Sequence, residues 1–550
     1  MGCSGSVMHK KKPEIRLVLF SVLAFFAVFL AAPLGVLLIT SLKSAQGIDF
    51  SNYISVLQDK SVINAIGNSV KVSAIAAAIT TFLGFILAYT VNFTHTANSL
   101  KSLIRMGIVV PMLLPSITYG FAIIYSFGKQ GLLTKLFGVE LFQIYGFQGL
   151  LVGYVIYTLP FAFFLLNNSF SYIDKKYLIV SELMGDGFWR SFTNTAVRPL
   201  IGTIGGAFVV SFILSFTDFG IPASVGGNHN VIATELYQVM LGAIPDFPHG
   251  SVIAMLMLLP AFAGVCFLNY LERFNFSYDT ISTTGLPDNK LRDLLFGSVS
   301  VLLVIGILSV FLVMFIAPFV KNYPYDMQFS TEFVQNALFN RAMVSVYENS
   351  IVVAFIAAVA GTVIAYCAAL VNVRTTITKR EKIIIDMTAM VANTVPGMVL
   401  GLAFLMFLND SELKGTFLIL IISNIVHFFT TPYLMAKNCL SKLNPAWETT
   451  GELMGDTWIK TVLRVIVPNS LATVVEMFGY FFINSMVTIS AIIFLVTART
   501  ALVTSKIKEL QHFASFNEIF VLSILIFVTN LVVRLGCDFA NKQLSSGNNR

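Results

Sequence analysis

Charge is what this sequence has least of. Only 11% of its 550 residues are Asp, Glu, Lys or Arg, where a soluble domain carries about 25%. With 56% hydrophobic residues and a mean hydropathy of +0.81, water cannot solvate the folded surface, and a soluble globular enzyme is excluded. Disorder is excluded as well, because disordered chains are poor in hydrophobics. The short alternating segments of a transmembrane β-barrel are missing, and long unbroken apolar runs stand in their place. Cysteine is scarce and scattered (Cys3, Cys266, Cys367, Cys439, Cys537), with no CxxC, so no disulfide framework is expected. The six histidines form no HxxH or HExxH spacing, and no metal site is expected. No G-x-x-x-x-G-K-[ST] occurs, so the chain has no phosphate-cradling loop with which to hydrolyse ATP. Neither a nucleophile nor a metal constellation supports an intramembrane enzyme.

What is present is a series of apolar runs long enough to cross a bilayer, which takes about 20 residues per helix. Twelve qualify, near 17–40, 70–92, 106–128, 148–167, 200–218, 251–270, 294–319, 350–371, 386–408, 416–436, 471–495 and 517–535. Arg534 is expected to snorkel from the end of the last one to the interface. The net charge of +7 reads as topology. With both termini inside, the inside segments hold more than twice as many Lys and Arg as the outside loops, as the positive-inside rule requires. Met1–Ser6 matches M-G-x-x-x-[ST], but one weak acyl anchor adds little to twelve spans, and lipidation is not expected. The first span lacks an A-x-A-like cleavage site and is expected to be retained.

The runs fall into two copies of one unit. Asn68-Ser69 opens the second span and Asn349-Ser350 the eighth; Ala88-Tyr89 and Ala365-Tyr366 follow near their ends. Pro396 lies as far from Pro115 as Asn349 does from Asn68. Thr158-Leu159-Pro160 is paralleled by Thr430-Thr431-Pro432. The strongest match lies between the fourth and fifth spans of each half. Glu182-Leu183-Met184-Gly185-Asp186 recurs as Glu452-Leu453-Met454-Gly455-Asp456, followed by Trp189 and Trp458 and closed by Pro199 and Pro468. Six spans per half in the same order mean parallel repeats. The expected fold is an all-α polytopic membrane protein of about twelve helices in two parallel six-helix repeats. The expected divisions are a cytoplasmic tail 1–16, repeats 17–270 and 294–536, a cytoplasmic linker 271–293 and a tail 537–550, with repeated loops at 174–199 and 441–468.

Each repeated loop is too long for a hairpin. It reads as a short amphipathic helix, a turn at Gly185 or Gly455, and a second short helix ending at proline. Leu183, Met184 and Trp189 supply an apolar face, and Glu182 and Asp186 supply acceptors for helix ends or basic groups. The glycine permits a turn that a Cβ would obstruct. All three tryptophans, Trp189, Trp447 and Trp458, lie in or beside these loops, either as interfacial anchors or as apolar anchors into a partner's cleft.

The pattern Glu-x-x-Gly followed by proline, from Glu182 to Gly185 and from Glu452 to Gly455, resembles the cytoplasmic signature of permease subunits of binding-protein-dependent ABC importers, with Leu-Met where that family usually has alanines. Two copies in one chain resemble the fused permeases of ferric-iron, thiamine and 2-aminoethylphosphonate importers. Asp218-Phe219-Gly220 with Gly226-Gly227 is similar to the ferric type. The resemblance implies a type I importer permease fold in a bacterial inner membrane. It implies two copies of a separate ATPase, binding the ATP and Mg, docked on the two loops. It further implies an external solute-binding protein on the outer loops, chiefly 219–250 and 496–516, and alternating access for a small solute. The chain itself is expected to bind no cofactor and no nucleic acid.

The rival reading is an ion-coupled secondary transporter, which also has twelve spans in two parallel halves. Such a carrier normally displays intramembrane acids or histidines, and here Glu476 and His427 nearly complete the inventory. The candidate pathway residues are Pro115 and Pro396, expected to kink the third and ninth spans, with Asp218, Asn228, Asn393, Glu476 and Asn484 as polar lining. Arg499, Lys506 and Lys508 make a basic outer segment that reads best as a solvated helix face.

Overall fold

The structure, a computed structural model, describes residues 13–44, 47–274, 286 and 289–547. Met1–Ser6 with its acylation pattern, most of the expected linker 271–293 and the last three residues of the tail lie outside the described residues. The described chain is helical apart from two short antiparallel ribbons, Lys43–Ser44 with Gly47–Ile48 and Val320–Asn322 with Asp326–Phe329. In hydrocarbon a helix satisfies its own backbone polar groups, which is why these apolar runs have no other option.

In the first half the main helices are α1 (Pro13–Leu42), α2 (Lys60–Phe93), α3 (Asn98–Met112), α4 (Ser116–Phe127), α5 (Phe147–Ser171), α6 (Lys176–Leu183), α7 (Ile201–Thr217), α8 (Ile232–Leu241) and α9 (Phe247–Leu271), with further short helices between them. In the second half they are α10 (Lys290–Ile316), α11 (Arg341–Arg374), α12 (Lys379–Thr394), α13 (Gly397–Phe407), α14 (Phe417–Phe428), α15 (Thr430–Lys442), α16 (Ala446–Leu453), α17 (Leu471–Val487), α18 (Val503–His512) and α19 (Phe516–Gly547). Eight helices are long and apolar enough to cross a membrane, and the count reaches 12 when each of four bent pairs is taken as one span.

The halves repeat down to single hydrogen bonds. Asp59 accepts from the Ser61 amide at 2.8 Å to cap α2, and Asn340 accepts from the Ala342 amide at 3.0 Å to cap α11. The twin Asn-Ser pairs have one job in both copies. Ser69 Oγ accepts from the Ile232 amide at 2.7 Å, and Ser350 Oγ accepts from the Val503 amide at 2.8 Å. Asn68 and Asn349 donate to the carbonyls of Asn230 and Ala501. Each pair therefore ties a long spanning helix to the start of α8 or α18. The Ala-Tyr dipeptides are not equivalent, however. With the Asn-Ser pairs and the helix-ending Thr94 and Thr375 in register, Tyr89 falls opposite Leu370, one turn beyond Tyr366.

The bent pairs show what the sequence understated. The expected third span turns by 108° between α3 and α4, and the ninth by 103° between α12 and α13. Proline has no N–H and pushes its predecessor out of the helical region, so the helix stops before Pro115 and Pro396 and restarts with each as N-cap. These are breaks, not kinks. The run 471–495 is helical only to Val487.

The sequence repeat is not the packing unit. Helix α1 lies against α9 of its own half and also against α11 and α13 of the other, with Phe26 and Phe429 rings 4.4 Å apart. Helix α10 packs on α2, α3 and α4 of the first half. The first helix of each repeat thus crosses to the other, which leaves the two halves interlocked. Within the first half α2 runs along α5. A Cβ on Gly84 would stand 3.2 Å from Ala162, and Thr80 and Thr158 hydroxyls pair at 2.9 Å, the small-residue approach and hydroxyl bonding that hold helices together where no hydrophobic effect is available.

Candidate functional site

The two repeated loops have the same architecture. Helix α6 ends at Leu183 and α16 at Leu453, and Gly185 and Gly455 follow with φ of +72° and +78°. Their amides close on the Glu182 and Glu452 carbonyls at 3.0 Å in both copies. The next amides, Asp186 and Asp456, reach back to Ser181 and Gly451 at 3.0 and 2.9 Å. This is a left-handed helix terminator. An added Cβ at either glycine would meet nothing within 4 Å, so glycine is needed here for its backbone angle and not for space. The turn leaves Leu183, Met184, Leu453 and Met454 pointing away from the chain, 83, 76, 84 and 78% exposed. Glu182 and Glu452 are exposed beside them.

The acids after the glycines stay on the chain. Asp186 accepts from Ser181 Oγ at 2.9 Å and pairs with Arg190, and Asp456 pairs with Lys460. Both loops then pass through a π turn, Thr193–Val197 or Val462–Ile466, and Pro199 and Pro468 open the short turns leading into α7 and α17. The tryptophans part company. Trp189 is 76% exposed, whereas Trp458 is 6% exposed and packed inside. The expectation that both are anchors is corrected for Trp458, which is a core residue of its own loop.

Between the halves lies a cavity of 370 Å³. It brings together three of the expected pathway residues, Asp218, Glu476 and Asn484. Asp218, 8% exposed, ends α7; it accepts from Ser116 Oγ at 2.7 Å and from the Ile221 amide at 2.9 Å. Asn484 donates to the Tyr480 carbonyl of its own helix at 2.8 Å, and Asn541 donates to Glu476 at 3.4 Å. Tyr157, Tyr480 and His427 complete the polar wall, the His427 Nδ1 having no hydrogen-bond partner within the described chain. Three carboxylates, Asp218, Glu476 and Asp538, and one guanidinium, Arg534, line it.

Other expectations are corrected. Asn228 sits in an exposed turn and Asn393 on the exposed last turn of α12, and neither reaches the cavity. Pro115 and Pro396 do not line it either; Leu113, Leu114 and Ser116 beside Pro115 do, and the residues beside Pro396 do not. The carbonyl freed at the first break, Leu113, accepts from Asn530 at 3.1 Å across the two halves. Arg534, near the end of the apolar run, lines the cavity, and α19 continues past it to Gly547. Arg534, Asp538 and Asn541 fall on one helix face by their i, i+4, i+7 spacing, and that spacing was the signal for them. Lys508 is not on a solvated face. It is half-buried, 5.9 Å from the Tyr237 ring centre, and with Gln511 it donates to the Ala223 carbonyl of the other half. Burial pushes its pKa down to about 8. Among the described residues no three His, Cys, Asp or Glu side chains gather as they would around a metal ion.

Comparison with known proteins places this geometry among transport proteins. The ferric transport system permease protein FbpB of Actinobacillus pleuropneumoniae is 23% identical over 507 residues, covering 89% of this chain and 73% of that protein. The putative ferric transport system permease protein FbpB 1 of Haemophilus influenzae is 24% identical over 463 residues, 81% of this chain and 72% of that protein. The molybdenum transport system permease protein ModB of Azotobacter vinelandii is 30% identical over 161 residues, 28% of this chain and 69% of that protein. No family model matches the chain.

Proposed function

The chain belongs to the permease family of ABC import systems, and on that premise we propose that it supplies both membrane halves of one importer and moves a cationic metal, ferric iron in the first place. The observation that carries this reading is the pair of Leu-Met tips, each about four-fifths exposed on an identical glycine turn. An apolar side chain so exposed on the polar end of a membrane protein invites a partner's cleft. Two equal tips suit two copies of an ATP-hydrolysing subunit. Because each loop leads through a π turn and a proline into α7 or α17, and these two helices end at or line the cavity, a movement of the tips reaches the pathway directly.

In this mechanism a binding protein docks on the outer segments around α8 and α18. ATP binding draws the two ATPase subunits and both tips together. The halves rock, the cavity opens outward to receive the cargo, and hydrolysis resets it. Both termini and the tips lie in the cytoplasm, and the membrane is a bacterial inner membrane. Alternation of this kind makes the two orientations differ in contacts with ATP-loaded subunits.

The substrate class rests on the cavity and on the relatives' names. Asp218, Glu476 and Asp538 outnumber the one arginine in the lining, which favours a cation over an anionic phosphonate; thiamine, a cation, is the second choice. The direct test is uptake of labelled ferric iron into proteoliposomes holding this chain with its ATPase and a binding protein. The expected result is uptake that needs ATP and the binding protein. Uptake driven by an ion gradient without the ATPase would return the ion-coupled alternative to favour.

A further inference from the structure

The two loops are fastened to their spanning helices by different chemistry. At the end of α11, Arg374 is 5% exposed and reaches three elements at once. Its Nε and one terminal nitrogen each donate to Glu448 of α16 at 2.6 Å, a two-pronged ion pair. The same guanidinium donates to the carbonyls of Leu443 and Asn444 at 2.8 Å each and to that of Leu440 at 3.4 Å. These carbonyls lie in the last turn of α15 and in the two residues that follow it, where a helix end leaves backbone acceptors to be satisfied from outside. One side chain thus joins α11, α15 and the loop helix α16.

In the first half the equivalent positions are apolar. The residue ending α2 is Phe93, and Leu178 of α6 stands where Glu448 stands in α16. Phe93, Phe170, Ile173 and Leu178 form part of one buried cluster, with the Phe93 and Phe170 rings 5.4 Å apart. An aromatic plug does there what a five-pronged cation does in the second half.

We propose that Arg374 is the positioning residue that transmits movement of the second loop to the membrane, and that Phe93 with Leu178 is its counterpart for the first; the proposal rests on the coupling role assigned above. The guanidinium suits this task because its planar fork fixes direction as well as distance. Removing it strands Glu448, 19% exposed, and takes the guanidinium from the carbonyls of Leu443 and Asn444, so the loop helix loses its tie while its tip stays intact.

The test uses the full chain with its ATPase and binding protein in proteoliposomes. Three variants are compared, Gly455→Val, Arg374→Gln and the pair Arg374→Phe with Glu448→Leu. For Arg374→Gln the binding-protein-stimulated ATPase rate falls about tenfold or more, within the range of coupling free energies between sites, while basal ATPase stays within about twofold. The double variant, which copies the first half's apolar tie, recovers stimulation to within about threefold of wild type by the same measure. A merely structural loss would lower both rates together. If Gly455→Val abolishes stimulation and Arg374→Gln leaves it intact, the coupling role stands and the proposal for Arg374 is overturned. If Gly455→Val also retains stimulation, the coupling role fails and the proposal with it. Should Arg374→Gln not accumulate in the membrane, the double variant decides: recovered stimulation supports the tie, and a well-folded double variant without stimulation overturns it.

Discussion

At the tip of the first loop Leu183 and Met184 stand out from a glycine with φ +72°; at the tip of the second, Leu453 and Met454 stand out from one with φ +78°. At the roots, a buried Phe93–Leu178 contact region answers a buried Arg374–Glu448 ion pair. A surface that must fit the same partner twice has little freedom to differ. A tie that only has to be stiff can be built from either burial or charge. The tryptophans follow the same division: Trp189 is out and Trp458 is in, so the loop bodies have diverged while the tips have not.

The largest effect is expected from the tips. Replacing Gly185 and Gly455 together with valine forces a β-branched residue into a left-handed backbone, costing roughly 1–2 kcal/mol or more at each turn. With nothing within 4 Å to clash, the helices should survive and the tips should be misaimed. Transport in proteoliposomes is expected to fall to background, and the two single variants are expected to lose similar amounts. A harmless single variant in one half would break the equivalence.

The tryptophans give the next largest effect, on stability. Trp458→Ala empties a packed site and is expected to cost about 3–5 kcal/mol. Trp189→Ala removes an exposed ring and is expected to change stability by less than about 0.5 kcal/mol. Thermal unfolding of the detergent-purified variants reads both, and equal shifts would contradict the difference in burial.

How much of this was legible beforehand depended on distance along the chain. The spans, the repeat and the loops announce themselves in local runs and identical five-residue strings. The twin Asn-Ser pairs were visible as a motif, but their partners, the amides of Ile232 and Val503, lie some 150 residues away or more. The Ala-Tyr match misled because small-aromatic dipeptides are common in helices and nothing local reports a one-turn slip. Pro115 and Pro396 marked the interruptions without reporting turns beyond 100°, since the angle is set by what each half-span packs against. The crossing of α1 and α10 has no local signature at all. The cavity draws on helices from both halves, so Glu476 and Asp218 were found as isolated intramembrane acids, whereas Asp538 and Asn541 were hidden in what read as a tail. Lys508 was misread because its burial comes from Tyr237 and Ala223 of the other repeat.

Lys508 supplies the smallest expected effect, again as a contrast between halves, since Tyr237 of α8 occupies the position equivalent to it. Burial lowers the Lys508 pKa from an ordinary 10.5 to about 8. The unfolded chain therefore binds this proton more tightly than the folded one. Stability should be lowest below about pH 8, where the buried amine is charged, and should rise as the pH climbs toward 10.5. With the side chain still partly open to solvent, the gain is of order 1 kcal/mol. Melting curves of wild type and Lys508→Met between these limits check it: the difference between the two proteins should shrink as the pH rises. A constant difference would show that the amine is not strained by burial.

The central claim is that both tips seat in the same partner, one in each copy. Cysteine placed at Leu183 in one variant and at Leu453 in another, each paired with one fixed cysteine in the cleft of the ATPase subunit, tests it directly by disulfide cross-linking in membranes. The expected result is a cross-link at both positions, with comparable yield and with the same sensitivity to ATP. A cross-link at neither tip, or at one tip alone, would contradict the account.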